Sequence, residues 1–238
     1  GSDAIGGAIN VISAEPPSTE AGETMFEGRI TGELSTAFEQ QTVAVELDAA
    51  AGPWGITGTA VYRDSDNLNV PEGPTALKTG NPTDPLATGD VPFSGFEQAN
   101  GDVAVGYTAD WGQVALRWEG WRNEQNFPVP DPPPPDFDAP LQVGGIGQDL
   151  ENDIVELSGE IELGEELKLE PSFTWVRNLR VSAAGPPEPQ PVSTLPESAV
   201  IDIRRDSLIG KSVLKHGQLF NLLTGQVGVE VRYETQSS

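Results

Sequence analysis

Residues 155–163 alternate without exception: Val155, Leu157, Gly159, Ile161 and Leu163 interleave with Glu156, Ser158, Glu160 and Glu162. A period of two puts one set on each face of an extended strand, and no helix can sort residues in that way. About eight further segments of roughly ten residues follow the same rule. Two precede the Gly-Pro at 52–53. Residues 26–38 set Ile30, Gly32, Leu34 and Thr36 against Arg29, Thr31, Glu33 and Ser35, and residues 42–50 set Val43, Val45, Leu47 and Ala49 against Ala44, Glu46 and Asp48. Others fall at 56–63, 102–108, 114–121 and 167–175. The eighth, at 200–215, is the least regular, and the last places Val227, Val229, Val231 and Tyr233 opposite Gln226, Gly228, Glu230 and Arg232. The chain therefore reads as all-β.

The connections alternate in length. Gly52-Pro53-Trp54-Gly55, Asp110-Trp111-Gly112 and Gly164-Glu165-Glu166 are turn sequences rich in Gly, Pro and Asp. Between them, long loops are expected at 68–97, 126–151 and 181–198, with a short exception near 39–41. Short turns on one side and long loops on the other describe a bacterial membrane barrel, whose turns face the periplasm and whose loops face outward. Ten residues at ~3.3 Å rise, tilted ~45°, cover roughly 24 Å, close to the ~25 Å apolar band of such barrels. In the clearest segments every charge falls on one face, as required where a charge facing lipid costs up to ~2–4 kcal/mol. Trp54 and Trp111 hold equivalent places in two tight turns and suit the inner interface, while Tyr62, Phe127 and Trp175 lie near the opposite strand ends.

Composition removes other classes. Hydrophobic residues make up only 37% of the chain, and no apolar run approaches the ~20 residues of a transmembrane helix. The absence of cysteine excludes disulfides and thiolate metal sites. A formal charge of -24 repels phosphate backbones, so nucleic acid is not expected as a partner. His216 is the only histidine, expected in a turn, so no His cluster exists for a metal or a catalytic triad. Asp64-x-Asp66 begins like a calcium loop but lacks the later oxygen ligands and the glycine. Asp131, Asp136, Asp138, Asp149, Glu151 and Asp153 read as solvated loop carboxylates, with cation bridging to lipopolysaccharide as the alternative. No metal, cofactor or catalytic residue is expected, because no carboxylate spacing singles out a pair.

The first thirteen residues, Gly-Ser-Asp-Ala-Ile-Gly-Gly-Ala-Ile-Asn-Val-Ile-Ser, resemble the closing strand of the plug domain of TonB-dependent outer-membrane receptors. Gly1, Ser2, Ala4, Ile5, Gly6, Gly7, Ile9, Asn10 and Ile12 carry the likeness, and Tyr62-Arg63-Asp64-Ser65-Asp66-Asn67 is a weaker echo of the same family. The resemblance implies the end of a plug at 1–14, a linker at 15–25 and the N-terminal part of a β-barrel at 26–238: about nine of an expected twenty-two strands. Nine strands cannot close a bacterial barrel, where strand number is even. Neither an initiator Met nor a basic-then-apolar leader precedes Gly1, so an internal slice of a longer protein is expected.

The resemblance also implies active import of a scarce ligand such as a siderophore, cobalamin or an oligosaccharide across the outer membrane of a Gram-negative bacterium. The partners would be outer-membrane lipid and lipopolysaccharide, TonB acting on upstream segments, and the small-molecule ligand. Trp121, Phe127 and Phe137 are the candidate ligand contacts on outer loops. Glu33, Glu46, Arg117, Glu119, Glu156, Glu160, Glu162 and Glu170 would line the lumen, its carboxylates pairing with basic plug residues. A soluble β-sandwich that binds carbohydrate and a passive barrel remain alternatives, since alternation alone does not separate a lipid-facing sheet from a sandwich.

Overall fold

The computed structural model describes residues 14–36, 39–69, 90–91, 94–130, 143–185, 201–219 and 223–238. They form β1 (Thr24–Ser35), β2 (Gln40–Ala51), β3 (Trp54–Ser65), β4 (Leu68–Asn69), β5 (Asp90–Val91), β6 (Phe96–Ala109), β7 (Gly112–Pro130), β8 (Val143–Gly164), β9 (Leu167–Gly185), β10 (Ile201–Leu219) and β11 (Leu223–Ser237). Nine of these make one antiparallel sheet in the order β1-β2-β3-β6-β7-β8-β9-β10-β11, and β4 and β5 form a two-stranded ribbon. The sheet does not close, because β1 and β11 are its two edges. The chain is thus all-β, with an up-and-down order compatible with part of a β-barrel.

Every alternating segment of the sequence has become a strand of this sheet, but the strands are longer than ten residues. β1, β2 and β3 have 12 residues each, β7 has 19 and β8 has 22. The boundaries move accordingly. Much of the loop expected at 126–151 is paired backbone, with Phe127 opposite Ile146 and Gln125 opposite Gln148. β9 likewise continues to Gly185, into the loop expected from 181. Asp149, Glu151 and Asp153 are therefore strand residues of β8 and not loop tips. His216 lies in β10 opposite Gly225, not in a turn. Thr24 and Met25, assigned to the linker, already belong to β1. The physical reason is common to all of these: backbone pairing needs no apolar side chains, so the ladder continues where hydrophobic alternation fades.

Two-residue turns join β2 to β3, β6 to β7 and β8 to β9. Gly52, at φ 57, takes the left-handed conformation that the first turn needs, and Gly112, at φ 130, leaves the second. At the opposite rim the connection between β1 and β2 is short, and the others run through 66–95, 131–142 and 186–200. The sorting of connections by side expected from the sequence is present in the backbone.

Candidate functional site

Register makes the two faces explicit. One row runs Gly28, Leu47, Gly58, Val103, Trp118, Val155, Trp175, Leu208 and Tyr233 through all nine strands. The adjacent row on the other face runs Arg29, Glu46, Thr59, Asp102, Glu119, Ile154, Val176, Ser207 and Glu234. The apolar face is open: Ile30 is 78% exposed, Leu157 54% and Val231 68%. Among the described residues the only buried hydrophobic side chains are Ala50 and Ala104, and both stand on the polar face. A water-soluble sheet normally hides its apolar face under a second layer; the described residues supply none.

The apolar surface has the same length on two strands four steps apart. It covers Trp54 to Tyr62 on β3 and Leu167 to Trp175 on β9, nine residues in each case. The band also slides against the hydrogen-bond ladder. Following the register from Tyr62 gives Ala99, Arg122, Glu151 and then Leu179, whereas the matching aromatic on β9 is Trp175. Four residues of offset have accumulated over four strand-to-strand steps. All four are taken up between β3 and β7, since from Trp118 through Trp175 to Tyr233 the edge keeps a single register row.

Aromatic rings mark both edges of the band. At the short-turn rim Tyr107 lies between Trp54, with ring centroids 4.8 Å apart, and Trp111, at 6.5 Å. At the other edge stand Tyr62, Trp118, Trp175 and Tyr233. Trp118 and Tyr233 escaped the sequence-based choice of edge aromatics, and their parity within the strand would have identified them. Nothing is described of the Phe127 side chain beyond its backbone place in β7.

Past that edge the sorting of charges ends. Arg122 donates two hydrogen bonds to Asp153, at 3.0 and 2.8 Å, and lies 3.5 Å from Glu151. Asp206 is held by Arg177 at 3.1 Å and Arg204 at 2.8 Å, and the Arg177 guanidinium stands 5.0 Å from the Trp175 ring centroid. By register these groups continue the apolar face. Farther on, Asp64, Glu97, Glu124 and Asp149 meet in one row of like charges. There, beyond the band, burial and then the neighbouring Asp149 and Glu97 push the Glu124 carboxyl above its ordinary value. Burial and Glu151 raise that of Asp149, which Arg122 partly offsets.

The eight polar residues singled out from the sequence all stand on the polar face. Several find partners within the sheet itself. Glu46 lies 3.5 Å from Arg29, and Lys168 lies 2.6 Å from Glu160 and 3.6 Å from Glu162. Lys215 pairs with Glu170, Thr174 donates to Glu156 at 3.1 Å, and Arg117 reaches Asp102 at 2.9 Å. Glu46 and Glu170 thus each face a cation of the sheet, while Glu160 and Glu162 share Lys168. Trp121 sits mid-strand on the same face and not on a loop. It borders a groove of about 440 Å³ with Asn100, Asp102, Glu119 and Asn152. Phe137 and the segment from Gly1 to Ile12 lie outside the described residues. Among the described residues no group of three or more His, Asp or Glu could hold a metal ion.

No family model matches the chain, and neither the curated proteins nor the solved structures include a match. The functional reading therefore rests on the two faces of the sheet and on the sequence motif.

Proposed function

We propose that this chain is part of the wall of a TonB-dependent outer-membrane transporter, which imports a scarce small molecule such as a siderophore, cobalamin or an oligosaccharide. One observation carries the membrane part of this reading: an uncovered apolar face edged by aromatics on both sides. Lipid satisfies such a face and water does not. The polar face then lines a lumen. A soluble sandwich would need a second sheet over Ile30, Leu157 and Val231, and the described residues contain none.

The open edges of β1 and β11 extend the argument. In hydrocarbon each unpaired backbone group costs several kcal/mol, so the sheet requires further strands before it can sit in a bilayer. The plug-like motif at 1–13 adds the transporter class, with TonB acting on segments upstream and the ligand entering from the long-loop rim. Lipopolysaccharide would meet the ionic groups above the band.

The test uses the protein with its natural ends in its native outer membrane. Deleting the gene and supplying labelled cobalamin, a ferric catecholate and a maltooligosaccharide separately is expected to abolish TonB-dependent uptake of one of them, with restoration by the intact gene. Recovery of the protein from the soluble fraction, without detergent, would sink the membrane reading itself.

A further inference from the structure

Residues 14–19 are stitched across the polar face, and the sheet carries a notch shaped for them. Ala50, Gly55, Gly106 and Ala115 stand opposite one another on β2, β3, β6 and β7. Glycine inside a strand is unfavourable, because it orders a flexible backbone and offers no side chain to pack. Here the two glycines make room. A Cβ on Gly106 would stand 2.9 Å from the Cβ of Pro16, and one on Gly55 would overlap the Pro17 carbonyl.

Both ends of the segment are fastened. At the short-turn rim the Thr19 N–H donates to the Gly52 carbonyl at 2.9 Å, and its hydroxyl accepts from the Gly52 N–H at 2.9 Å. At the inner end Arg117 donates to the Ala14 carbonyl and Gln113 donates to Glu15 at 3.1 Å. Arg117 is itself held by Asp102, which accepts from Thr59. Two consecutive prolines contribute no N–H donors of their own and restrict the backbone to extended conformations, so the segment gives up little freedom by lying there.

We propose that residues 14–19 are a fixed strap, and that in the transport cycle any movement of the preceding chain pivots at or ahead of Ala14. Gly55, Gly106 and Arg117 act as positioning residues for that pivot. The inference rests on the transporter reading for its purpose, but the seat of the strap stands on geometry alone.

The test is a cross-link in the protein with its natural ends. The chain has no cysteine, so Pro16→Cys with Gly106→Cys introduces the only pair in this part of the protein. Their Cβ atoms need to separate only by about 1 Å to reach the ~3.8 Å of a disulfide. Near-complete disulfide formation in the folded barrel is expected, with uptake of the transported probe within twofold of wild type in the oxidised protein. A disulfide that forms but lowers uptake tenfold until it is reduced would show that the strap moves, and would overturn the proposal. Failure of the pair to form would remove the seat, provided Gly106→Val agrees. That variant is expected to expel the strap and speed cleavage at Glu15, Glu20 and Glu23 by a glutamate-specific protease at least tenfold. Equal cleavage in the variant and wild type would also overturn the seat. If wild type imports none of the three probes while the disulfide still forms, the transporter reading fails and the strap survives.

Discussion

The halves of β7, β8, β9 and β10 nearest the short turns differ from the halves nearest the long connections, although one uninterrupted ladder runs through both. Toward the turns, Leu116, Trp118, Leu157 and Phe173 occupy the open face and charges keep to the other. Beyond Trp175, the same face carries Arg122, Asp153, Arg177 and Asp206 in ion pairs. Hydrogen bonding is the same on both sides of the line, so it cannot have selected the side chains. On the membrane reading proposed above the medium did: one half would face lipid, which excludes charge, and the other water.

The sharpest way to break this comparison is to place the same charge on each side of the line. Leu157→Arg, in the middle of the band, should cost about 2–4 kcal/mol of folding stability in lipid vesicles, and Leu179→Arg, beyond the belt on β9, about 0–1 kcal/mol. Urea unfolding of the vesicle-inserted protein measures both, and equal costs would mean that the line is not a membrane boundary.

A smaller effect is expected at the ion pairs. Arg122 and Asp153 leave 40% and 13% of their side chains exposed, so Arg122→Gln should lose only about 1 kcal/mol or less, with part of it screened by salt. A salt-independent loss of several kcal/mol would place the pair inside the apolar region and move the line.

Smallest is the response of the carboxylate row to pH. The folded state raises the affinity of Glu124 and Asp149 for protons, so their contribution to stability is fully present below the ordinary carboxylate range and lost as pH rises through it. Glu124→Gln should therefore gain slightly over wild type at neutral pH, and the gain should vanish in acid. Parallel stability curves for the two proteins across that range would show that the row carries no such repulsion.

The nine strands were legible because a period of two is visible wherever one face excludes charge. Where apolar and charged side chains no longer sort by face, as from Arg122 to Asn126, the signal that marks a strand is gone although the strand is not, and a loop is the natural misreading. Trp118 was equally readable from its parity with Leu116, yet it was overlooked among aromatics chosen for nearness to strand ends. The strap was not legible at all. Pro16 and Pro17 read as linker, and Gly55 and Gly106 as ordinary turn and strand glycines, since only folding brings together positions about forty and about ninety residues apart. Trp121 illustrates a third case: its place near a predicted strand end suggested an outer loop, and the longer ladder carries it to the middle of the polar face.

The two open edges have a consequence for size. At ~4.8 Å between neighbouring strands, nine strands amount to about 43 Å of wall. Eight strands suffice for the smallest closed barrels. Yet β1 and β11, with more wall between them than such a ring contains, do not meet. On the barrel reading proposed above, these nine strands would be an open arc of a wall and not a ring of their own.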